Sequence, residues 1–217
     1  MSNPCPEGNG TTIGTDQQFT LDCDTRLVGD TIGSQDADSF LQCVDLCSSF
    51  HPKCEGVVFN RRTCDFKAGV RRDRDSRRFD AAMAVFPSAT SNCGQLGNSA
   101  RSGRKRYNMF CGQIINGRDM VQTHAPTLLD CMGQCSFTDG CDAVSFDASM
   151  DQGFKNCYLK TGDGDGPLSQ NGIDTAVVNN AAVADSDPEP EPESAAPVSV
   201  ASPDPVPTTS KPSTGDV

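Results

Sequence analysis

The amino-acid sequence predicts an α+β protein of two tandem, small, disulfide-rich domains, each with one helix packed on an antiparallel sheet, followed by a disordered C-terminal tail. Three observations predict it. The twelve cysteines fall into two sets with matching spacing, each set surrounds one helical segment and short apolar strands, and the composition changes near residue 183. We therefore expect domains at residues 1–88 and 89–182 and a tail at 183–217.

The composition explains why disulfides are needed. Only 35% of the 217 residues are hydrophobic, and Trp is absent. A domain of about 80 residues with this composition buries too little apolar surface to offset the lost chain entropy. An even number of cysteines at repeating spacings is typical of disulfides in an oxidising compartment, whereas structural zinc sites prefer Cys-x2-Cys pairs, which this chain lacks. We therefore expect disulfides, and neither a metal ion nor a cofactor.

The two cysteine sets indicate an internal duplication. Successive cysteines are 18, 20, 4, 7 and 10 residues apart in the first set and 18, 20, 4, 6 and 16 apart in the second. Gly29 and Gly117 each lie six residues after the second cysteine of their set. The sets are Cys5, Cys23, Cys43, Cys47, Cys54 and Cys64, and Cys93, Cys111, Cys131, Cys135, Cys141 and Cys157.

Each unit contains one clear helical segment. In the first unit the segment is residues 39–47, with Asp36 or Asp38 as the expected N-cap. In the second unit it is residues 127–135, preceded by Thr123. Both segments carry two cysteines four residues apart, which places the two thiols on one face of the helix.

Short apolar runs follow each helix. Residues 57–59 and 144–146 predict strands, and each unit ends in a further apolar run, at 81–86 and 175–178. We therefore expect each helix to be fixed by its cysteine-bearing face to a small antiparallel sheet.

A helix with two cysteines four residues apart, then a third cysteine, a strand and a fourth cysteine, resembles the PAN/apple superfamily. The resemblance spans about residues 5–88 and 93–180. It implies modules that bind an extracellular protein or carbohydrate without catalysis. Apple domains proper also join their two ends with a cysteine that neither unit has, so the chain resembles PAN-like modules more closely.

The resemblance also implies the disulfide pairing, which spacing alone leaves open among fifteen possibilities per unit. In the family pattern the first helical cysteine joins the late strand and the second joins the nearby loop, which leaves one further pair in each unit. The implied pairs are Cys5–Cys23, Cys43–Cys64, Cys47–Cys54, Cys93–Cys111, Cys131–Cys157 and Cys135–Cys141.

The tail and the cysteines indicate an extracellular setting. From Ala184 onward the chain is rich in Pro, Ser, Thr and Glu, which predicts an extended, solvated segment. With PAN-like modules, such a tail resembles secreted or wall-associated fungal proteins. The N-terminus lacks a signal-peptide pattern, whereas an oxidised chain must reach the secretory route, so we expect either the mature form of a secreted protein or a piece excised from a longer chain. No run approaches the roughly 20 apolar residues of a membrane span, so we expect no membrane insertion.

Charge and basic residues suggest one candidate ligand site. The formal net charge of −11 argues against nucleic acid as a partner. If the basic residues share one face, they bind a sulfated or carboxylated glycan or an acidic protein surface, whereas a solvated loop is the simpler alternative. The candidate residues are Arg61, Arg62, Arg71, Arg72, Arg77 and Arg78.

No catalytic constellation stands out, so we expect no enzyme. The two histidines, His51 and His124, occupy non-equivalent positions and are predicted to be ordinary surface residues. If every cysteine is paired, no thiolate remains as a nucleophile. Asn9 begins an Asn-Gly-Thr sequon and is a candidate N-glycosylation site.

The leading functional hypothesis is a secreted, non-catalytic binding module for an extracellular protein or carbohydrate. One alternative is a structural component of a cell wall or matrix, which the stalk-like tail favours. The other is a set of accessory domains of a larger secreted enzyme. The sequence leaves the ligand, the binding face and the oligomeric state open.

Overall fold

The structure, a computed structural model, describes residues 4–5, 7–73, 79–162 and 164–179. They form two modules within one compact unit. The predicted tail lies outside the described residues. Across the ranges that are described, no helix is both long and apolar enough to cross a membrane.

The first module contains one helix and six strands in its described part. Its elements are β1 (Thr12–Ile13), β2 (Phe19–Asp22), β3 (Arg26–Asp36), α1 (Phe40–Ser48), β4 (Gly56–Asn60), β5 (Thr63–Asp73) and β6 (Asp80–Ala84).

The second module repeats this order and adds a one-turn helix and a short strand pair. Its elements are α2 (Cys93–Leu96), β7 (Ser99–Ser102), β8 (Lys105–Phe110), β9 (Gln113–Ile114), β10 (Asp119–Thr123), α3 (Leu128–Ser136), β11 (Ala143–Asp147), β12 (Cys157–Lys160), β13 (Leu168–Ser169) and β14 (Ile173–Val178).

The two main sheets share one topology. The first runs β1-β2-β6-β4-β5-β3 and the second runs β7-β8-β14-β11-β12-β10, with antiparallel neighbours throughout. Strands at the same place in the two orders therefore correspond, and β9 pairs with β13 apart from the main sheet. This confirms the predicted α+β fold with one main helix per module.

Both main helices begin at a hydroxyl side chain. Ser39 and Thr127 each accept a hydrogen bond from the backbone N–H three residues further on, which satisfies one of the unpaired donors of the first turn. The helices lie where the sequence predicted them, but the predicted caps of α1, Asp36 and Asp38, were wrong. Asp36 is the last residue of β3, so its backbone belongs to the sheet.

Each main helix packs on one face of its sheet. In the first module the buried cluster between α1 and the sheet includes Phe19, Val44 and Phe66. In the second it includes Tyr107 and Phe146 beneath α3. The cysteines of both helices and their partners are part of these clusters, so the four disulfides that the helices form lie inside the core.

The structure contains the same six disulfides that the resemblance implies. Their Cα–Cα distances run from 5.4 to 5.7 Å. In each module one bridge joins the main helix to the strand that follows the hairpin turn, β5 or β12. A second bridge joins the end of the helix to the chain just before β4 or β11.

Peptide mapping under non-reducing conditions tests this pairing. We expect no free thiol and six linked peptides, among them Cys43 with Cys64 and Cys131 with Cys157. A peptide that links the two modules through a disulfide would contradict the pairing.

The bridges also differ in their expected contribution to stability. Cys131–Cys157 spans 26 residues and Cys135–Cys141 spans 6. In the chain-entropy model, replacing both cysteines by Ser lowers the free energy of unfolding by about 3.5 kcal/mol for the first bridge and about 2 kcal/mol for the second. Denaturant unfolding of the two double variants measures both losses, and a larger loss for the shorter loop would contradict this account.

Candidate binding cleft in the second module

The six candidate arginines do not form one patch among the described residues. They are Arg61 and Arg62 in the turn between β4 and β5, Arg71 and Arg72 near the end of β5, and Arg77 and Arg78 outside the described residues. At a strand rise of about 3.3 Å per residue, the two described pairs lie about 30 Å apart. A small anionic ligand cannot contact both.

Two of these arginines already contact carboxylates. Arg62 forms an exposed ion pair with Asp38. Arg72 Nε lies 2.9 Å from Asp22 Oδ2. Any anion at these positions therefore competes with a carboxylate of the same module.

The candidate glycosylation site lies on the surface. Asn9 is exposed in a turn, and its Oδ1 accepts a hydrogen bond from the backbone N–H of Cys23 at 2.9 Å. A glycan is attached to the side-chain nitrogen, which this hydrogen bond does not use. Glycosylation of Asn9 stays a prediction.

The sheet face that turns away from the main helix differs between the two modules. In the first module, Leu27, Val58 and Ala81 are buried together on this face. Two of these three apolar positions carry hydroxyl groups in the second module. The equivalent residues, aligned by the cysteines and by strand pairing, are Ile115, Ser145 and Thr175.

The hydroxyl groups hold β9 against this face. Ser145 Oγ and Thr175 Oγ1 lie 3.0 Å apart, and Thr175 Oγ1 donates to the carbonyl of Gln113 at 2.8 Å. The backbone N–H of Ile115 donates to Ser145 Oγ at 3.4 Å, and the side chain of Ile115 is fully buried. The segment around β9 is therefore tied to the sheet by polar contacts.

A cleft of about 420 Å³ lies between this segment and the strands. Ile114 and Ile173 contribute apolar surface to it. The polar side chains that line it from the second module include Asn116, Asp119, Gln122, Tyr158, Lys160 and Gln170.

A buried lysine forms part of the cleft wall. Lys160 Nζ donates to the carbonyl of Gly117 at 3.3 Å and to Asp119 Oδ1, and its side chain is 4% exposed. The equivalent lysine of the first module, Lys67, donates to the hydroxyl of Thr31 at 2.5 Å. Thr31 and Asp119 both lie eight residues after the second cysteine of their set. The second module therefore has a carboxylate where the first has a hydroxyl.

Tyr158 presents a phenol to the cleft. Burial is the main cause that raises the pKa of Tyr158 to about 12, and the nearby carboxylates of Asp147 and Asp119 contribute to the same shift. The phenol is therefore neutral and keeps its proton for donation near pH 7. Among the described residues, neither this hydroxyl nor the side-chain amides of Asn116 and Gln170 have a hydrogen-bond partner.

The first module reaches this cleft through His51. The Nδ1 atom of His51 lies 2.6 Å from the carbonyl oxygen of Gln152, and Nε2 lies 2.8 Å from Gln122 Oε1. The ring centroids of His51 and Tyr158 are 6.4 Å apart. A Cβ at Gly153, where φ is +147°, would lie 3.3 Å from the His51 ring, so a glycine suits this close approach.

The other histidine lies at the same boundary between the modules. His124 stacks on Phe154, with ring centroids 4.4 Å apart, and lines a second cavity of about 210 Å³. Asp16 of the first module and Lys155 of the second also line this cavity, with 4.0 Å between Asp16 Oδ2 and Lys155 Nζ. Gln122 lines both cavities. His51 is exposed and His124 half-buried, so both lie at the surface as expected, and both also contact residues at the boundary between the modules.

Sequence reasoning missed the cleft, although comparison of the two repeats contains a signal for it. The positions of Val58 and Ala81 carry Ser145 and Thr175 in the second module. A polar residue on a strand face that is apolar in the other copy indicates a changed role for that face. The contribution of His51 leaves no such signal, because it depends on how the modules pack.

Two family models, each described as a PAN domain, match the chain over residues 106–179 and 25–70. The chain belongs to the PAN/apple superfamily. Because the two matches fall in different modules, they confirm the tandem PAN modules that the cysteine repeat predicted. PAN modules typically bind proteins or carbohydrates and are non-catalytic.

Among solved structures, the chain is similar to the two N-terminal apple domains of Toxoplasma gondii microneme protein 4. The sequence identity is 15% and the TM-score 0.27, and the match covers 71% of this chain and 86% of that chain. No curated protein matches the chain.

An alkaline titration tests the environment of Tyr158. Burial also raises the pKa of Tyr107, whose hydroxyl donates to the carbonyl of Met132. We expect ultraviolet absorbance to show almost no tyrosinate at pH 10, where half of an exposed tyrosine ionises. The first step should appear near pH 12 and be absent in Tyr158→Phe.

The same shift predicts the direction of a stability change. The folded-state pKa of each phenol lies above its unfolded value of about 10, so folding favours the neutral form. The stability contributed by this preference is complete below pH 10 and is lost as the pH rises toward 12. Half-ionisation of Tyr158 at pH 10 would instead show an open, solvated phenol.

Proposed function

We propose that this chain is a secreted, non-catalytic binding protein that recognises a neutral carbohydrate in the cleft of its second module. The observation that carries the proposal is a concave site in which three polar side chains have no hydrogen-bond partner among the described residues. The Tyr158 hydroxyl and the amides of Asn116 and Gln170 supply both donors and acceptors, which suit the hydroxyl groups of a sugar.

The charge balance of the cleft favours a neutral ligand over an acidic one. Lys160 contacts Asp119, so its positive charge is already compensated. An anionic sugar would have to replace that carboxylate around a buried ammonium group, which is costly. A neutral sugar needs no such exchange.

The extracellular setting rests on the cysteines. Six disulfides in one compact unit suit a chain that folds and remains in an oxidising compartment. They also suit a module with a thin apolar core that works outside the cell. The proposal therefore keeps the secreted, non-catalytic role implied by the family.

A protein ligand is the second candidate, and one exposed side chain favours it. Phe137, at the C-terminal end of α3, is 74% exposed. Exposed aromatic residues are frequent anchors in protein interfaces. If a protein is the ligand, Phe137→Ala should abolish its binding, whereas this change should leave sugar binding intact.

A panel of methyl glycosides tests the proposal on the full chain. The panel contains neutral hexoses, N-acetylhexosamines and uronic acids, each added at millimolar concentration. Because the chain has no Trp and Tyr107 is buried out of reach of a ligand, a change of tyrosine emission on ligand addition reports mainly on Tyr158. We expect at least one neutral sugar to change this emission saturably, with a Kd that hardly depends on salt.

Two variants and a control locate the site. Tyr158→Phe and Asn116→Ala should each weaken binding by about five- to tenfold, the usual result of losing one hydrogen bond. For Tyr158→Phe, binding is followed by NMR because the reporter is lost. Asn60→Ala removes the same amide from an exposed position in the first module and should change nothing.

Three outcomes would contradict the proposal. They are a preference for uronic acids with steep salt dependence, amide shifts near Arg71 and Arg72 with none in the cleft, and no binding by any sugar. The first two would favour the arginines, and the third would favour a protein ligand or a structural role.

A further inference from the structure

The cleft of the second module is not built from the second module alone. His51 belongs to the loop after α1 of the first module, yet its ring lines the cleft beside Tyr158. We infer that His51 is a specificity-determining residue of this cleft, so that the tandem pair, and not the second module by itself, is the binding unit. The inference rests on the proposed function and names the residue that limits which sugars fit.

The two ring nitrogens of His51 serve different purposes. Nδ1 faces the carbonyl oxygen of Gln152, which can only accept, so Nδ1 carries a proton. This hydrogen bond ties the first module to the loop before β12. It holds the His51 ring in place, and its acceptor is a backbone carbonyl and not a side chain that lines the cleft.

Nε2 faces the side-chain amide of Gln122, which lines the cleft. A neutral His51 ring with its proton on Nδ1 accepts a hydrogen bond at Nε2, so the Gln122 amide must turn its NH₂ group toward Nε2. A charged ring instead donates from Nε2 to Gln122 Oε1. In either state the ring decides which end of the Gln122 amide faces the ligand. His51 is therefore a positioning residue for Gln122 as well as part of the cleft wall.

The backbone at Gly153 allows the close approach of the His51 loop. Gly153 has φ of +147°, a conformation that glycine adopts readily, and a Cβ there would lie 3.3 Å from both the His51 ring and the carbonyl oxygen of Phe50. The loop of the second module thus accommodates the first module at this point. On the far side of Gln122, Asp16 and Lys155 provide a second contact between the modules.

Two substitutions separate the hydrogen bond from His51 to Gln152 from the contribution of the His51 ring to the cleft. His51→Ala removes both functions. His51→Asn places an amide nitrogen near the position of Nδ1 and so retains the hydrogen bond to Gln152, but it lacks the ring and the contact with Gln122. His124→Ala is the matched control, because it removes the other histidine on the opposite side of Gln122, outside the cleft.

The experiment compares these full-length variants with the wild type. The probes are the best-binding methyl glycoside of the panel and its disaccharide extensions. We expect His51→Ala and His51→Asn each to weaken the monosaccharide by about fivefold and to shift the affinity ratio toward the larger sugars. His124→Ala should leave that ratio unchanged. A merely structural role would weaken every sugar equally and would not change the ratio.

A ligand-free measurement accompanies the titration. In the wild type, the His51 ring protons should show nuclear Overhauser contacts to the Tyr158 ring, and His51→Asn should keep its melting temperature within the error of the wild type. The absence of these contacts would overturn the inference. If His51→Asn keeps the wild-type ratio of affinities for the monosaccharide and its extensions, the inference is also overturned, since His51 would then only hold the two modules together.

These failures differ from failure of the proposed function. If a sugar binds at Tyr158 and its affinity is the same in the His51 variants as in the wild type, the inference is contradicted and the proposed function stands. If no sugar binds the wild type, the proposed function fails and the inference fails with it.

Discussion

The disulfide between the main helix and the strand after the hairpin is the constraint on which both modules depend. Cys43–Cys64 and Cys131–Cys157 are fully buried members of the two clusters. Because each module is small, each bridge contributes a share of stability that packing alone would not provide. With the helix fixed to one face of the sheet, the other face is less constrained and can differ between copies.

The two copies use this second face in opposite ways. The first module fills it with apolar side chains from three strands, Leu27, Val58 and Ala81. The second places hydroxyl groups at two of these positions and uses them to hold a covering segment, which leaves a cleft. Buried hydroxyl groups are costly unless they are hydrogen-bonded. Ser145 and Thr175 meet that condition with each other and with the backbone.

The cysteine spacing and the apolar runs were enough to predict two α+β modules and the position of their helices, because both are local patterns. The sequence left open whether the candidate arginines share one face or lie in a solvated loop, because nearness in the chain is not nearness in space. An extended strand places Arg62 and Arg71 far apart, which spacing alone does not reveal. The cap at Ser39 was missed because an acidic residue and a hydroxyl residue are almost equally good caps. The role of His51 depends on contacts between modules, which no periodic pattern encodes.

The partner of the buried lysine differs between the two modules. An ammonium group removed from water needs strong partners. In the first module Lys67 uses the hydroxyl of Thr31, whereas in the second module Lys160 uses Asp119, whose side chain remains 39% exposed. A carboxylate has more lone pairs than one lysine can occupy, so Asp119 keeps acceptor capacity at the edge of the cleft. The exchange of Thr for Asp at one position thus stabilises the buried charge and provides an acceptor for a ligand hydroxyl.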